Sequence, residues 1–281
     1  MPDSSNKPDK SAELEARRAE IDAADAVLLP AFIRRMRTAL RVADCKFEAG
    51  APVNRPGREH AILDGIRASV PPELAPDAVR LYRTVLAVSR SRQRIRILAL
   101  RKPTRTVLCG IKHCGKSFLG RALADALGVP FFDTDDLLKA DAGKPVRQLY
   151  REVGEKRFRE LEAASIRKFT ASAPERAVVA LGGGAASNPV LTPGDLHALG
   201  VVVWLDVPVC TAFERMQREG LPPFLADADD PVAEFDRICD ERRPKYQAIA
   251  DAVLPIPEVR PVEEVVDALL ELLETTKGSS K

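Results

Sequence analysis

Gly110-Ile111-Lys112-His113-Cys114-Gly115-Lys116-Ser117 is the stretch on which the reading of this chain turns. It satisfies the pattern G-x-x-x-x-G-K-[ST], follows the apolar run Thr106–Cys109 and opens a helical run, Phe118–Leu127. A strand, a glycine-rich turn and a helix in that order wrap backbone N–H groups and the positive end of a helix around phosphate oxygens. Lys116 then reaches the outer phosphates, and the Ser117 hydroxyl suits Mg2+. A nucleotide is therefore expected against Gly110, Lys112, His113, Cys114, Gly115, Lys116, Ser117 and Phe118. Further β-rich runs at Val129–Phe132, Ala177–Leu181, Val201–Asp206 and Ala252–Ile256 alternate with helical stretches. That alternation predicts a mostly parallel five-stranded sheet covered by helices.

Upstream of residue 100 the texture differs. Leu14, Ile21, Leu28, Leu29, Phe32, Met36, Leu40 and Ala43 form one apolar stripe at helical spacing. Gly50-Ala51-Pro52 and Pro71-Pro72 break the pattern, which predicts two further helices, from about Arg58 to Ser69 and from about Pro76. Two domains suit a chain of 281 residues: a helical one over 11–94, a basic junction at 95–103 and an α/β one over 104–275. With 45% apolar and 30% charged residues the chain can bury a core, so a disordered polyelectrolyte is excluded. No apolar run is long enough for a membrane span, and the polar start Met1–Lys10 has no secretory character. A cytoplasmic protein is expected, with no membrane partner.

The net charge of +2 conceals an asymmetry: residues 1–102 hold 20 Lys/Arg against 13 Asp/Glu. A basic half suits nucleic acid or a small anion, and only 5% aromatic residues leave few rings for base stacking. The small anion is favoured, and no nucleic-acid partner is expected. Five cysteines without a Cys-x-x-Cys, and three histidines, argue against a zinc site or a disulfide framework.

Downstream of the phosphate loop come Phe131-Phe132-Asp133-Thr134-Asp135, Phe158-Arg159-Glu160-Leu161-Glu162, Gly182-Gly183-Gly184 and Glu241-Arg242-Arg243-Pro244 before Tyr246. Singly, Asp135 reads as a helix cap, Arg159 as a surface ion pair and the glycines as a tight turn. In this order they resemble the shikimate kinases. The resemblance implies ATP as co-substrate, Asp133 with Ser117 on Mg2+, and Asp135, Arg159, Gly182, Gly183, Gly184 and Arg242 on shikimate. Lys116 and Asp135 would be catalytic, and Arg215 would pack on the adenine. In the lid, Gly220-Leu221-Pro222-Pro223-Phe224-Leu225, Pro222 stands where the family carries an arginine, with Arg218 the nearest substitute.

In the helical half, Arg35 and Lys46 are 11 residues apart, which at 100° per residue leaves them about 20° apart on one helix face. Arg18 lies 17 residues and ~25 Å from Arg35, on a different face. Together with Pro52-Val53, Arg58-Glu59, Ser89 and Gln93, these positions resemble the all-helical chorismate mutases. The resemblance implies a homodimer intertwined through the N-terminal helices, with Arg18 acting in the partner's site. Arg35 and Arg58 would take carboxylates of chorismate, Lys46 and Gln93 its ether oxygen, and Glu59 and Ser89 its hydroxyl and a carboxylate. Pro30, inside the long helix, is a candidate kink. The leading expectation is a bifunctional enzyme, a mutase followed by a kinase. The alternatives are a kinase half that acts on another small alcohol, and a regulator whose kinase fold senses a nucleotide or metabolite.

Overall fold

The computed structural model describes residues 10–102, 104–221, 225 and 228–276. Three helices precede the sheet: α1 (Lys10–Glu48), α2 (Pro56–Ser69) and α3 (Ala75–Leu100). α1 is helical without interruption through Pro30. Of its predicted stripe, Met36 and Ala43 are buried, whereas Leu14, Ile21, Leu28 and Leu29 are all more than half exposed. Length explains the difference, since 39 residues reach ~58 Å and the 26 of α3 only ~39 Å. α3 meets the later part of α1, where Ala43 packs with Val53 and Ile97 and Arg96 pairs with Asp44. The basic stretch expected as a junction is helical as far as Leu100, because nothing before Pro103 breaks a helix.

The remaining elements alternate: β1 (Thr106–Cys109), α4 (Lys116–Leu127), β2 (Phe131–Asp133), α5 (Thr134–Ala142), α6 (Val146–Ser172) and β3 (Val178–Ala180). They continue as α7 (Pro193–Leu199), β4 (Val201–Asp206), α8 (Val209–Glu219), α9 (Pro231–Ile249), β5 (Ala252–Pro255) and α10 (Val262–Thr275). The strands form one parallel sheet in the order β2-β3-β1-β4-β5. β2 begins later than predicted because Gly128, in a left-handed conformation, and Val129 still close the end of α4 onto the Asp125 and Ala124 carbonyls. Val107, Leu108, Val179, Val202, Val203 and Leu205 are wholly buried, the continuous apolar signature of strands covered on both faces. Leu123 of α4 and Leu269 and Leu270 of α10 are among the covering residues with no exposed surface.

Because all five strands run the same way, the loops after β1, β2 and β3 open at one edge of the sheet. The chain reaches β2 and β3 on one side of β1 and β4 on the other, so a crevice forms where the winding reverses. The chain divides into two compact units, Met1–Ile97 and Leu98–Lys281.

Candidate active sites

Gly110 leaves β1 at φ 146°, and a Cβ there would lie 2.8 Å from the Leu205 carbonyl and 2.9 Å from the Cys114 sulfur. Only glycine fits between loop and sheet. His113 is left-handed at φ 61° and Gly115, which precedes α4, at φ 99°. These reversals curl the loop over the start of α4. Lys116 is buried and donates to the Gly110 and Ile111 carbonyls, at 3.0 and 2.9 Å. The Cys114 thiol is buried, and its N–H closes a turn on the Ile111 carbonyl, so this residue adds no side chain to the phosphate face. Phe118 is two-thirds exposed in the first turn of α4. Arg215 of α8 donates to the His113 carbonyl at 3.3 Å, which places its guanidinium beside the loop.

The Ser117 hydroxyl donates to an Asp133 carboxylate oxygen at 2.6 Å. Asp133 also caps α5, accepting from the Asp135 N–H at 3.0 Å. The cap is thus Asp133, and Asp135, in the first turn of α5, is left for other work. Hydroxyl and carboxylate together are the hard oxygen donors that suit Mg2+.

The Gly182–Gly184 loop is the centre of this crevice. A Cβ on Gly182 would fall 2.3 Å from an Asp135 oxygen, and one on Gly184 would fall 2.5 Å from an Arg159 nitrogen. One on Gly183 would lie 3.6 Å from Lys112, and the Gly183 carbonyl accepts from Arg242 at 3.1 Å and from the Tyr246 hydroxyl at 3.3 Å. The Arg159 and Arg242 guanidinium groups and the Asp135 carboxylate therefore meet on one short piece of backbone, with the Lys112 Cβ and backbone alongside. Asp135 keeps access to solvent at the mouth, but the protein atoms crowded around it push its pKa up to about 6. The Asp133 and Glu162 carboxylates add to this rise, and Lys116 and Lys112 oppose it.

Three neighbours of the predicted residues carry no chemistry of their own but hold the site. Buried Glu162 accepts from Arg159 at 3.0 Å and from Asn188 at 2.9 Å, and Asn188 also donates to the Arg159 carbonyl at 2.8 Å. The Thr134 hydroxyl accepts from the Gly182 N–H at 2.7 Å. Glu162 and Thr134 stand inside the quoted motifs, whereas Asn188 gives no signal in the sequence because only folding brings it to α6.

The helical unit holds a separate cavity of about 810 Å³. Arg34, Arg35, Arg41, Lys46, Arg55, Arg58 and Arg90 line it together with one carboxylate, Glu59. Ser89 and Gln93 complete the polar lining. Lys46 donates to the Val53 carbonyl at 2.7 Å and to the Gln93 side-chain oxygen at 3.0 Å, which turns the Gln93 amide nitrogen toward Ser89, 3.3 Å away. Arg35 reaches the Val85 carbonyl at 3.4 Å. Arg18 is not in the cavity; it pairs with Glu15 on the exposed surface of α1. Arg90, which the spacing of the sequence did not single out, binds Glu59 through both carboxylate oxygens.

Comparison with known proteins accounts for both units. The family model described as shikimate kinase matches residues 112–274, and that described as chorismate mutase type II matches residues 17–94. A shikimate kinase of Symbiobacterium thermophilum is 38% identical over 173 residues, covering 60% of this chain and 95% of that protein. The solved shikimate kinase from Acinetobacter baumannii in complex with shikimate is 26% identical, with a TM-score of 0.56, over 64% of this chain and 97% of that one. The shikimate kinase structure from Bacteroides thetaiotaomicron is 29% identical, with a TM-score of 0.54, over 61% and 98%. A phosphate loop facing a carboxylate and a cation-ringed glycine turn, in a chain so matched, leave one assignment: the protein belongs to the shikimate kinase family and carries a type II chorismate mutase domain ahead of its kinase fold.

Proposed function

We propose that the chain is a bifunctional enzyme that rearranges chorismate to prephenate in its helical unit and phosphorylates shikimate with ATP in its α/β unit. The observation that carries the kinase reading is the convergence of Asp135, Arg159 and Arg242 on Gly182–Gly184, with Asp133 of the Ser117–Asp133 pair bonded to the Asp135 N–H. Arg159 and Arg242 supply the cations that hold a substrate carboxylate. Asp135, with its raised pKa, takes the proton of the attacking hydroxyl, since a base poised near the working pH both holds and releases protons. Lys116 and the loop N–H groups hold the phosphates, and Arg215 covers the nucleotide base. Mg2+ on Ser117 and Asp133 would neutralise charge on the outer phosphates.

Chorismate carries two carboxylates, and its rearrangement needs no nucleophile. Cations that fold the substrate and stabilise charge on the breaking ether bond suffice. The cavity offers them: Arg35 and Arg58 for the carboxylates, and the Lys46–Gln93 pair for the ether oxygen. The more than half-exposed stripe of Leu14, Ile21, Leu28 and Leu29, and an Arg18 that stands outside its own cavity, support a homodimer in which α1 delivers Arg18 to the partner's cavity. No helix among the described residues is long and apolar enough to cross a membrane. We place the enzyme in the cytoplasm, where its cysteines stay reduced. The lid proline, Pro222, lies outside the described residues, and Arg218 of α8 is exposed.

Paired assays on the purified protein test the proposal: loss of chorismate without nucleotide, and ADP release that depends on shikimate. Lys116→Ala is expected to end the second and spare the first, and Lys46→Ala the reverse. A folded protein that binds ATP but releases no ADP with shikimate removes the kinase half of the proposal and points to a different alcohol or a sensing role.

A further inference from the structure

One contact in the helical unit is not explained by holding a dianion. Among the residues lining the cavity, Glu59 on α2 is the one acid, set among side chains that otherwise favour a negatively charged ligand. Arg90 of α3 donates from a single nitrogen to both of its oxygens, at 2.8 and 2.6 Å, with each side chain about a quarter exposed. Arg90 follows Ser89 directly, so it points about 100° around α3 from the Ser89–Gln93 face and reaches α2 instead.

We propose that Arg90 is a positioning residue for the mutase site: it fixes the Glu59 carboxylate in one orientation so that the carboxylate accepts a hydrogen bond from the hydroxyl of the ring substrate. The inference rests on the chorismate reading of the cavity. A carboxylate accepts at about four lone-pair sites, and one nitrogen shared between two oxygens occupies one on each. A second site on each oxygen stays available to a hydroxyl. A lone carboxylate beside a dianionic substrate would repel it, and the guanidinium offsets that repulsion at close range. The pair therefore selects for a substrate that brings a hydroxyl donor, because an analogue without one leaves the remaining acceptor sites unfilled.

The test compares chorismate with its analogue lacking the ring hydroxyl, in the parent, Arg90→Met, Arg90→Lys, Glu59→Gln and the Met/Gln double variant. Arg90→Met is expected to lower kcat/KM for chorismate about 10- to 100-fold and to lower the already weaker turnover of the deoxy analogue by clearly less, because that dianion meets the unmasked Glu59 charge but has no hydroxyl contact to lose. Arg90→Lys should recover part of the loss, and Arg90→Met should add little in the Glu59→Gln background. Equal losses on both substrates, or fully additive effects in the double variant, would reduce the pair to a tie between helices and overturn the inference. A parent that binds the deoxy analogue but fails to convert chorismate would overturn the mutase reading itself, and this inference with it.

Discussion

Replacing Gly184 with alanine isolates one steric event in the kinase site. Gly184 has φ −106° and ψ −10°, angles open to any residue, so alanine brings no backbone strain. Its Cβ would lie 2.5 and 3.0 Å from the two terminal nitrogens of Arg159 and 3.2 Å from the guanidinium carbon. Reaching an ordinary contact of about 3.5 Å requires the guanidinium to retreat by about 1 Å. Arg159 is held by Glu162 at 3.0 Å, and Glu162 by Asn188 at 2.9 Å, so the retreat strains or breaks a buried charge-assisted bond. Such a bond contributes about 1.5–3 kcal/mol to folding. A substrate-holding group displaced by about 1 Å loses activity by ~10²-fold. The expected result is a fall of roughly 100-fold in kcat/KM for shikimate, read by coupled ADP release. KM for ATP and chorismate turnover should stay close to the parent, and the melting temperature should fall by several degrees. Gly184→Ala with parental kcat/KM for shikimate would refute the placement of Arg159 on the substrate.

Other outcomes are equally specific. The pKa of Asp135, raised to about 6, means that the base is protonated below that pH and ionised above it. Kinase kcat/KM should therefore rise with pH through about 6, and Asp135→Asn should lower the rate and abolish that limb of the profile. Arg18→Ala and Lys46→Ala chains, each nearly inactive as a mutase, should regain activity when refolded together, since some mixed dimers hold one intact site. No recovery in proven mixed dimers would place Arg18 in its own chain's site. Gly110→Ala sets a Cβ against backbone only 2.8 Å away, so it should lower ATP affinity and the melting temperature together, measured by calorimetry. Pro222→Arg should raise the rate of shikimate phosphorylation, and Arg218→Ala in the parent should lower it.

Much of this protein is written in local spacing. The phosphate loop is legible because its glycines, lysine and serine act through their own backbone and the next helix, all within eight residues. The parallel sheet follows from apolar strands that alternate with helices, and the Arg35–Lys46 alignment from helix geometry alone. Folding decided what links distant segments. The sequence shows the apolar stripe of α1 but not that half of it lies open in the single chain, because that depends on how far α3 reaches. Asp133 rather than Asp135 became the helix cap because β2 ends one residue later than its apolar pattern, with Ser117 of α4 at hydrogen-bond distance. Asn188 and Arg90 meet their carboxylates only across turns of the chain 26 and 31 residues long. Spacing within one helix or loop is fixed by covalent geometry and is readable, whereas a contact between segments exists only once packing has set their distance.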